Sequence, residues 1–140
     1  ELALRELALR SRQAHRPATP EDLAAWSGLP LSDARAAWRL ARTGTGPAPT
    51  EESTVRLLPA FDEYLLGWRS RDAVVPPGHA RAVHPGGGLL RPVVLVGSTV
   101  AGTWTRKGAD VTVTPFTGIP ADSLQAEIDD VRRFLTRDQP

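Results

Sequence analysis

The chain has 140 residues, no cysteine and a formal net charge of +1. That length suits one domain or two small ones and is enough to bury a core without staples. The missing thiols exclude disulfide frameworks, cysteine zinc sites and thiol nucleophiles, and an intracellular, cytoplasmic setting is expected.

No apolar run approaches the roughly 18–20 residues that span a bilayer, and the N-terminus lacks a basic n-region and an apolar h-region. No membrane partner is therefore expected. The sequence starts at Glu1 and contains no methionine, which raises the expectation of a longer parent chain. Lys107 is the only lysine among many arginines and alanines, the composition of a GC-rich bacterial genome. Residues 1–50 hold seven arginines against five acids, and residues 51–140 hold ten basic residues against eleven acids. Such a balance permits a polyanionic partner without demanding one.

Residues 1–15 contain no Gly or Pro and place Leu2, Leu4, Leu7, Ala8 and Leu9 in a helical pattern that stops at Arg16-Pro17. Thr19-Pro20-Glu21-Asp22 supplies an N-cap hydroxyl, a first-turn proline and acids where the helix dipole favours them, and the second helix ends near Ser27-Gly28. From Leu29 to Thr43, Ala34, Ala37, Trp38 and Ala41 form one stripe and Arg35, Arg39 and Arg42 another. The third helix thus has one face for a core and one for water or phosphate. Three short helices, with a tight Ser-Gly-Leu-Pro turn before the third, make the pattern of a helix-turn-helix.

TGTGPAPTEES, residues 43–53, reads as a linker or a wing-like loop. The boundary belongs there, giving a helix-turn-helix segment over 1–47 and a β-rich domain over 48–140. Beyond it the period changes to two. PVVLV (92–96), TVAGTW (99–104) and DVTVTPF (110–116) read as strands. Gly97-Ser98 and Lys107-Gly108 serve as turns, and Thr54–Pro59 is expected to join the meander. Pro120 opens a last helix whose Leu124, Ile128, Val131 and Leu135 need a sheet to lie on. The fold class is α+β.

Arg35, Arg39 and Arg42 could meet phosphates or base edges, or simply form a solvated face. Asp62 and Glu63 are neighbours that point in different directions, so ion pairs with Arg69 or Arg71 fit them better than acid/base work or metal ligation. His79 and His84 are five apart with no intervening glutamate, which does not suit a helical zinc site. Gly86-Gly87-Gly88 leads into a strand and reads as a turn or a close backbone approach, not a phosphate cradle. No Gly-x-Ser-x-Gly elbow exists. The residues taken alone show no active site, metal site or cofactor site.

The blocks ATPEDLAAWSGLPLSDARAAW, LLPAFDEYLLGWRSRD and PGHARAVHPGGGLLRPVVLVGSTVAGTW, in this order, resemble the C-terminal part of the bacterial winged-helix DNA-binding proteins that include the AlkZ/YcaQ-type DNA glycosylases. The resemblance runs from about Ala18 to Trp104. It implies a last winged-helix module followed by a small β-rich domain, with further winged-helix modules upstream as intramolecular partners and double-stranded DNA as the ligand. It also implies that Asp62, Glu63, Tyr64, Arg69, Arg71, Gly102 and Trp104 are signature positions with a structural role, the segment from Asp62 to Asp72 crossing from linker to β domain as a latch. In that family a Gln-x-Gln or Gln-x-Asp pair near the N-terminus of the full protein positions the attacking water. Gln13-Ala14-His15 and Gln125-Ala126-Glu127 match neither the pattern nor the place, so no catalytic residue is expected in this chain.

The reading is a non-catalytic, DNA-binding winged-helix fragment of a DNA repair-related bacterial protein, nucleoid-associated when bound, with Arg35, Arg39 and Arg42 on phosphates. Two other readings stand beside it. The parent is an alkylpurine or interstrand-crosslink glycosylase with its catalytic residues upstream, or the helix-turn-helix serves only protein–protein contact. The oligomeric state is not legible.

Overall fold

The computed structural model describes residues 1–15, 17–41 and 54–137. It is α+β, with six helices and four strands among the described residues. The chain divides into two compact units, one of residues 1–50 with 63–71 and the other of residues 51–62 with 72–140. The linker expected at 43–53, and with it the boundary at 47/48, lies outside the described residues. The expectation that everything after residue 47 belongs to one β-rich domain differs from this division at residues 63–71, which pack with the helices.

In the first unit α1 spans Leu2–Ala14, α2 Pro20–Ser27 and α3 Leu31–Leu40. A short α4, Glu63–Leu66, was not foreseen; its one turn carries no periodic pattern. Gly28, at φ 72°, ends α2 in the left-handed conformation that glycine adopts without a Cβ penalty. The core consists of buried Ala8, Leu23, Ala34, Ala37 and Ala41, with Leu4, Leu7, Leu9, Ala24 and Trp38 packed around them. Alanines let helices approach closely but each removes little apolar area from water. Polar ties therefore carry more of the burden.

The chief tie is Asp22, which is only 7% exposed. One of its carboxylate oxygens accepts from the Thr19 N–H at 2.8 Å and the Thr19 hydroxyl at 2.7 Å, closing a capping box at the start of α2. The other accepts from the Arg69 N–H at 2.8 Å. One carboxylate thus caps a helix and fastens residues 63–71 to it.

An aromatic cluster completes the attachment. The His15 ring stacks on Tyr64 and meets Trp68 edge-on, with centroids 5.8 and 5.5 Å apart. Tyr64 and Trp68 also meet edge-on. A Cβ on Gly67 would overlap the His15 ring, so a larger residue there would displace that ring from the cluster.

In the second unit β1 spans Val55–Leu58, β2 Val93–Val96, β3 Thr99–Lys107 and β4 Asp110–Pro115. They form an antiparallel sheet in the order β1-β2-β3-β4. Thr54–Pro59 joins the meander as expected, and Gly97-Ser98 makes the two-residue turn that pairs Val96 with Thr99. A one-turn helix, α5, covers Ala80–Val83, and α6 runs Ala121–Arg137.

Leu124, Ile128 and Val131 of α6 pack against Val55, Leu57, Val94 and Trp104 on one face of the sheet. The Trp104 indole N–H donates to Leu58 O at 2.8 Å, so a large apolar ring is buried without an orphaned donor. β1 is an edge strand, and Glu127 of α6 covers it by accepting from the Leu57 N–H at 3.2 Å while pairing with Arg56.

Gly102 sits where β2 and β3 shift register at Val94/Leu95. A Cβ built on it would lie 2.7 Å from Thr114 O of the adjoining β4. Gly86, Gly87 and Gly88 all have positive φ and nothing within 4 Å of a Cβ position. They form a left-handed turn, closed by a bridge between Gly86 and Leu89, and not a close backbone approach.

Two substitutions test this account. Asp22→Ala should lower stability by about 2–4 kcal/mol, because it removes a cap and leaves the Arg69 N–H unsatisfied. Gly102→Ala should cost about 1–3 kcal/mol through overpacking against a backbone that cannot rotate away. Urea unfolding followed by far-ultraviolet circular dichroism reads both.

Candidate nucleic-acid interface

The candidate surface is the outward side of α3. Ala34 and Ala37 turn into the core, so Arg35 and Arg39, four residues apart, share the solvent side. Arg42, the third residue of the expected stripe, lies outside the described residues.

Arg35 is already engaged. Its Nε and Nη2 donate to the same Glu21 oxygen at 3.2 and 2.9 Å. Glu21 stands in the first turn of α2, where the dipole also favours a carboxylate. The Arg35 guanidinium holds the Glu21 carboxyl below its ordinary range, chiefly through that hydrogen bond. The carboxylate occupies the fork that a phosphate would take.

Two arginines of α1, unremarked in the sequence, fix the other end of α3. Arg5 donates to Leu40 O at 3.3 Å and Arg12 to Ala41 O at 3.2 Å. The Arg12 guanidinium also lies over the Trp38 ring, 5.2 Å from its centroid. Cations at the last carbonyls complement the negative end of a helix. Nothing in the α1 pattern distinguishes these arginines from solvated ones; only the crossing of α1 and α3 does.

Within the signature segment, Glu63 differs from the expected pairing. Glu63 does not pair with an arginine of its own segment: its carboxylate accepts from the Trp26 indole N–H at 2.9 Å. Arg71 donates to Leu65 O at 2.8 Å, and Arg69 is anchored through its backbone to Asp22. Tyr64 and Trp68 pack with His15, while Asp62 is half-buried within the second unit. Gly102 and Trp104 belong to the sheet as described.

The remaining chemistry-bearing residues are not brought together. Among the described residues no three His, Cys, Asp or Glu side chains form a group that could hold a metal ion. The His79 ring stacks on Phe116 with centroids 4.1 Å apart. Gln125 donates to Asp129 along α6 at 2.8 Å, and Gln13 is exposed near the end of α1.

Comparison with known proteins identifies the lineage. The family described as DNA glycosylase AlkZ-like matches residues 1–137. The chain belongs to the AlkZ-like DNA glycosylase family. An interstrand DNA cross-link repair glycosylase of Streptomyces sahachiroi is 37% identical over 83 residues, covering 56% of this chain and 22% of that protein. The solved Streptomyces sahachiroi DNA glycosylase AlkZ aligns with a TM-score of 0.64 at 25% identity, over 86% of this chain and 39% of that one. This AlkZ-like chain therefore spans well under half the length of these relatives. Among its described residues no helix is long and apolar enough to cross a membrane.

Because the folded pKa of Glu21 is depressed, the stabilisation from its pair with Arg35 is present above the unfolded carboxylate value. It is lost as pH falls through the folded value. In an Arg35→Ala variant the Glu21 carboxyl should titrate at higher pH than in the unmodified chain, because the hydrogen bond that chiefly lowers it is gone. Side-chain carboxyl NMR measures this, and an unchanged titration would mean that the pair does not form in solution.

Proposed function

We propose that this chain is the DNA-binding, non-catalytic C-terminal part of an AlkZ-like glycosylase, with α2, the Gly28 turn and α3 acting as a winged-helix-type helix-turn-helix. Family membership across residues 1–137 makes DNA the partner class and is the observation that carries the reading. The exposed Arg35 and Arg39 on the side of α3 away from the alanine core support it locally. Guanidinium groups on a helix flank suit phosphate contacts, which position a protein on duplex DNA without reading its sequence. Arg42 completes the proposed set.

The excision of an alkylated or crosslinked base belongs to the parent protein. A base-excising enzyme must extrude or grip its lesion, at a cost of a few kcal/mol, and needs surface from several modules. Upstream winged-helix modules would supply that surface and the water-positioning residues. Here the chain contributes affinity.

The expected affinity is nonspecific, with Kd roughly 10⁻⁴–10⁻⁶ M and steep salt dependence. Arg39→Ala should weaken binding uniformly across sequences and lower the salt slope by about 1. Glu21→Gln should strengthen binding by freeing the Arg35 fork, and that gain should vanish in an Arg35→Ala background. Fluorescence anisotropy with labelled duplex at two salt concentrations reads all of these. Absence of salt-sensitive binding in the parent chain would overturn the reading.

A further inference from the structure

The segment between α5 and β2 forms a short finger. At its root the Arg91 N–H donates to Val83 O at 2.9 Å. Nearer the tip the Leu89 N–H donates to Gly86 O at 3.1 Å, across the bridge between those two residues. Gly87 and Gly88, the central residues of the tip turn, have φ of 62° and 75°. Positive φ at both central positions is the pattern of the two-residue I′ turn, whose twist suits paired backbone on either side. The finger is thus held by its own backbone at two levels. Val83 and Leu90, 0% and 3% exposed, root it in the core of the second unit.

What the finger presents follows from its glycines. Gly86, Gly87 and Gly88 are exposed, and a Cβ on any of them would have nothing within 4 Å. The tip is therefore thin and bears no side chain. The first side chains behind it are those of Pro85 and Leu89, both apolar and both exposed. Leu89 is 47% exposed although Leu90 beside it is buried. A lone exposed leucine is ordinary on a protein surface. A leucine held at the end of a paired, glycine-cleared turn is an apolar point with open space around it. Leu90 turns inward between Leu89 and Arg91, so both neighbours face solvent. The Arg91 guanidinium lies toward the root of the finger, 3.5 Å from Ala82 O.

We propose that this finger is a wedge for duplex DNA, with Leu89 pressing between two stacked base pairs from the minor groove and Arg91 holding a phosphate beside it. Leucine is among the apolar side chains that proteins push between base steps, partly unstacking them and kinking the duplex. The glycines matter because the minor groove is only about 6 Å wide, and side chains at 86–88 would meet its walls before Leu89 reached the bases. An arginine just behind the wedge suits the phosphates that border the groove and fix a protein's position without reading sequence. The inference rests on the reading of DNA as partner but is independent of α3.

The test uses the full chain with two duplexes of one sequence, one labelled for fluorescence anisotropy and one with 2-aminopurine in place of adenine at TA steps, which unstack most readily. 2-Aminopurine brightens when it loses its stacking neighbour. The unmodified chain should brighten it, and the duplex should shift the Leu89 methyl NMR signals upfield through the ring currents of the flanking bases, a readout that needs no variant. Leu89→Ala should abolish the brightening and keep the salt slope, because it removes no charge, while Leu89→Met should retain both. Arg91→Ala should lower the slope by about 1, near 0.9 per phosphate contact. Salt-sensitive binding by the unmodified chain without brightening, or brightening that survives Leu89→Ala, overturns the wedge and leaves the DNA reading standing. No binding by the unmodified chain at low salt overturns the DNA reading itself, and the wedge with it.

Discussion

The first unit depends on the carboxylate of Asp22. Its helices meet through alanines, which bring backbones close but release little water, so burial alone gives a weak hold. Asp22 satisfies donors that α2 cannot satisfy internally and, with its second oxygen, captures the backbone of Arg69. Charge-assisted hydrogen bonds in a site 7% exposed are stronger than their surface equivalents, and their loss leaves buried donors without partners. The His15, Tyr64 and Trp68 rings then fill the space that this tether defines.

The same economy of small residues explains why so many arginines of this unit are structural. Arg5 and Arg12 hold the C-terminal carbonyls of α3, and Arg12 also covers Trp38. Arg35 is shared between Glu21 and solvent. A positive surface counted from the sequence thus overstates what is offered to a polyanion. The pair between Glu21 and Arg35 sets a threshold that a phosphate must overcome.

The second unit solves its stability differently. Its sheet is buried on one face by the aliphatic stripe of α6, and its first edge is closed by Glu127 while Trp104 donates to the end of the same strand.

The sequence by itself determined the elements whose cause is local. Helix ends at Thr19-Pro20 and Gly28, the hairpin at Gly97-Ser98 and the α6 stripe rest on residues within a few positions of one another, and all are found where the pattern places them. The resemblance carried by the three blocks also agrees with the family match. What only the tertiary structure decided is partnership across long separations. Glu63 was expected to meet Arg69 or Arg71 and instead takes the indole of Trp26, 37 residues away. Arg69 is held by its backbone to Asp22 across 47 residues, and Gly102 is required by a carbonyl of the next strand. A side chain's type and spacing state which bonds it can make; which bond it does make depends on which distant group the fold delivers to it, and no periodicity records that.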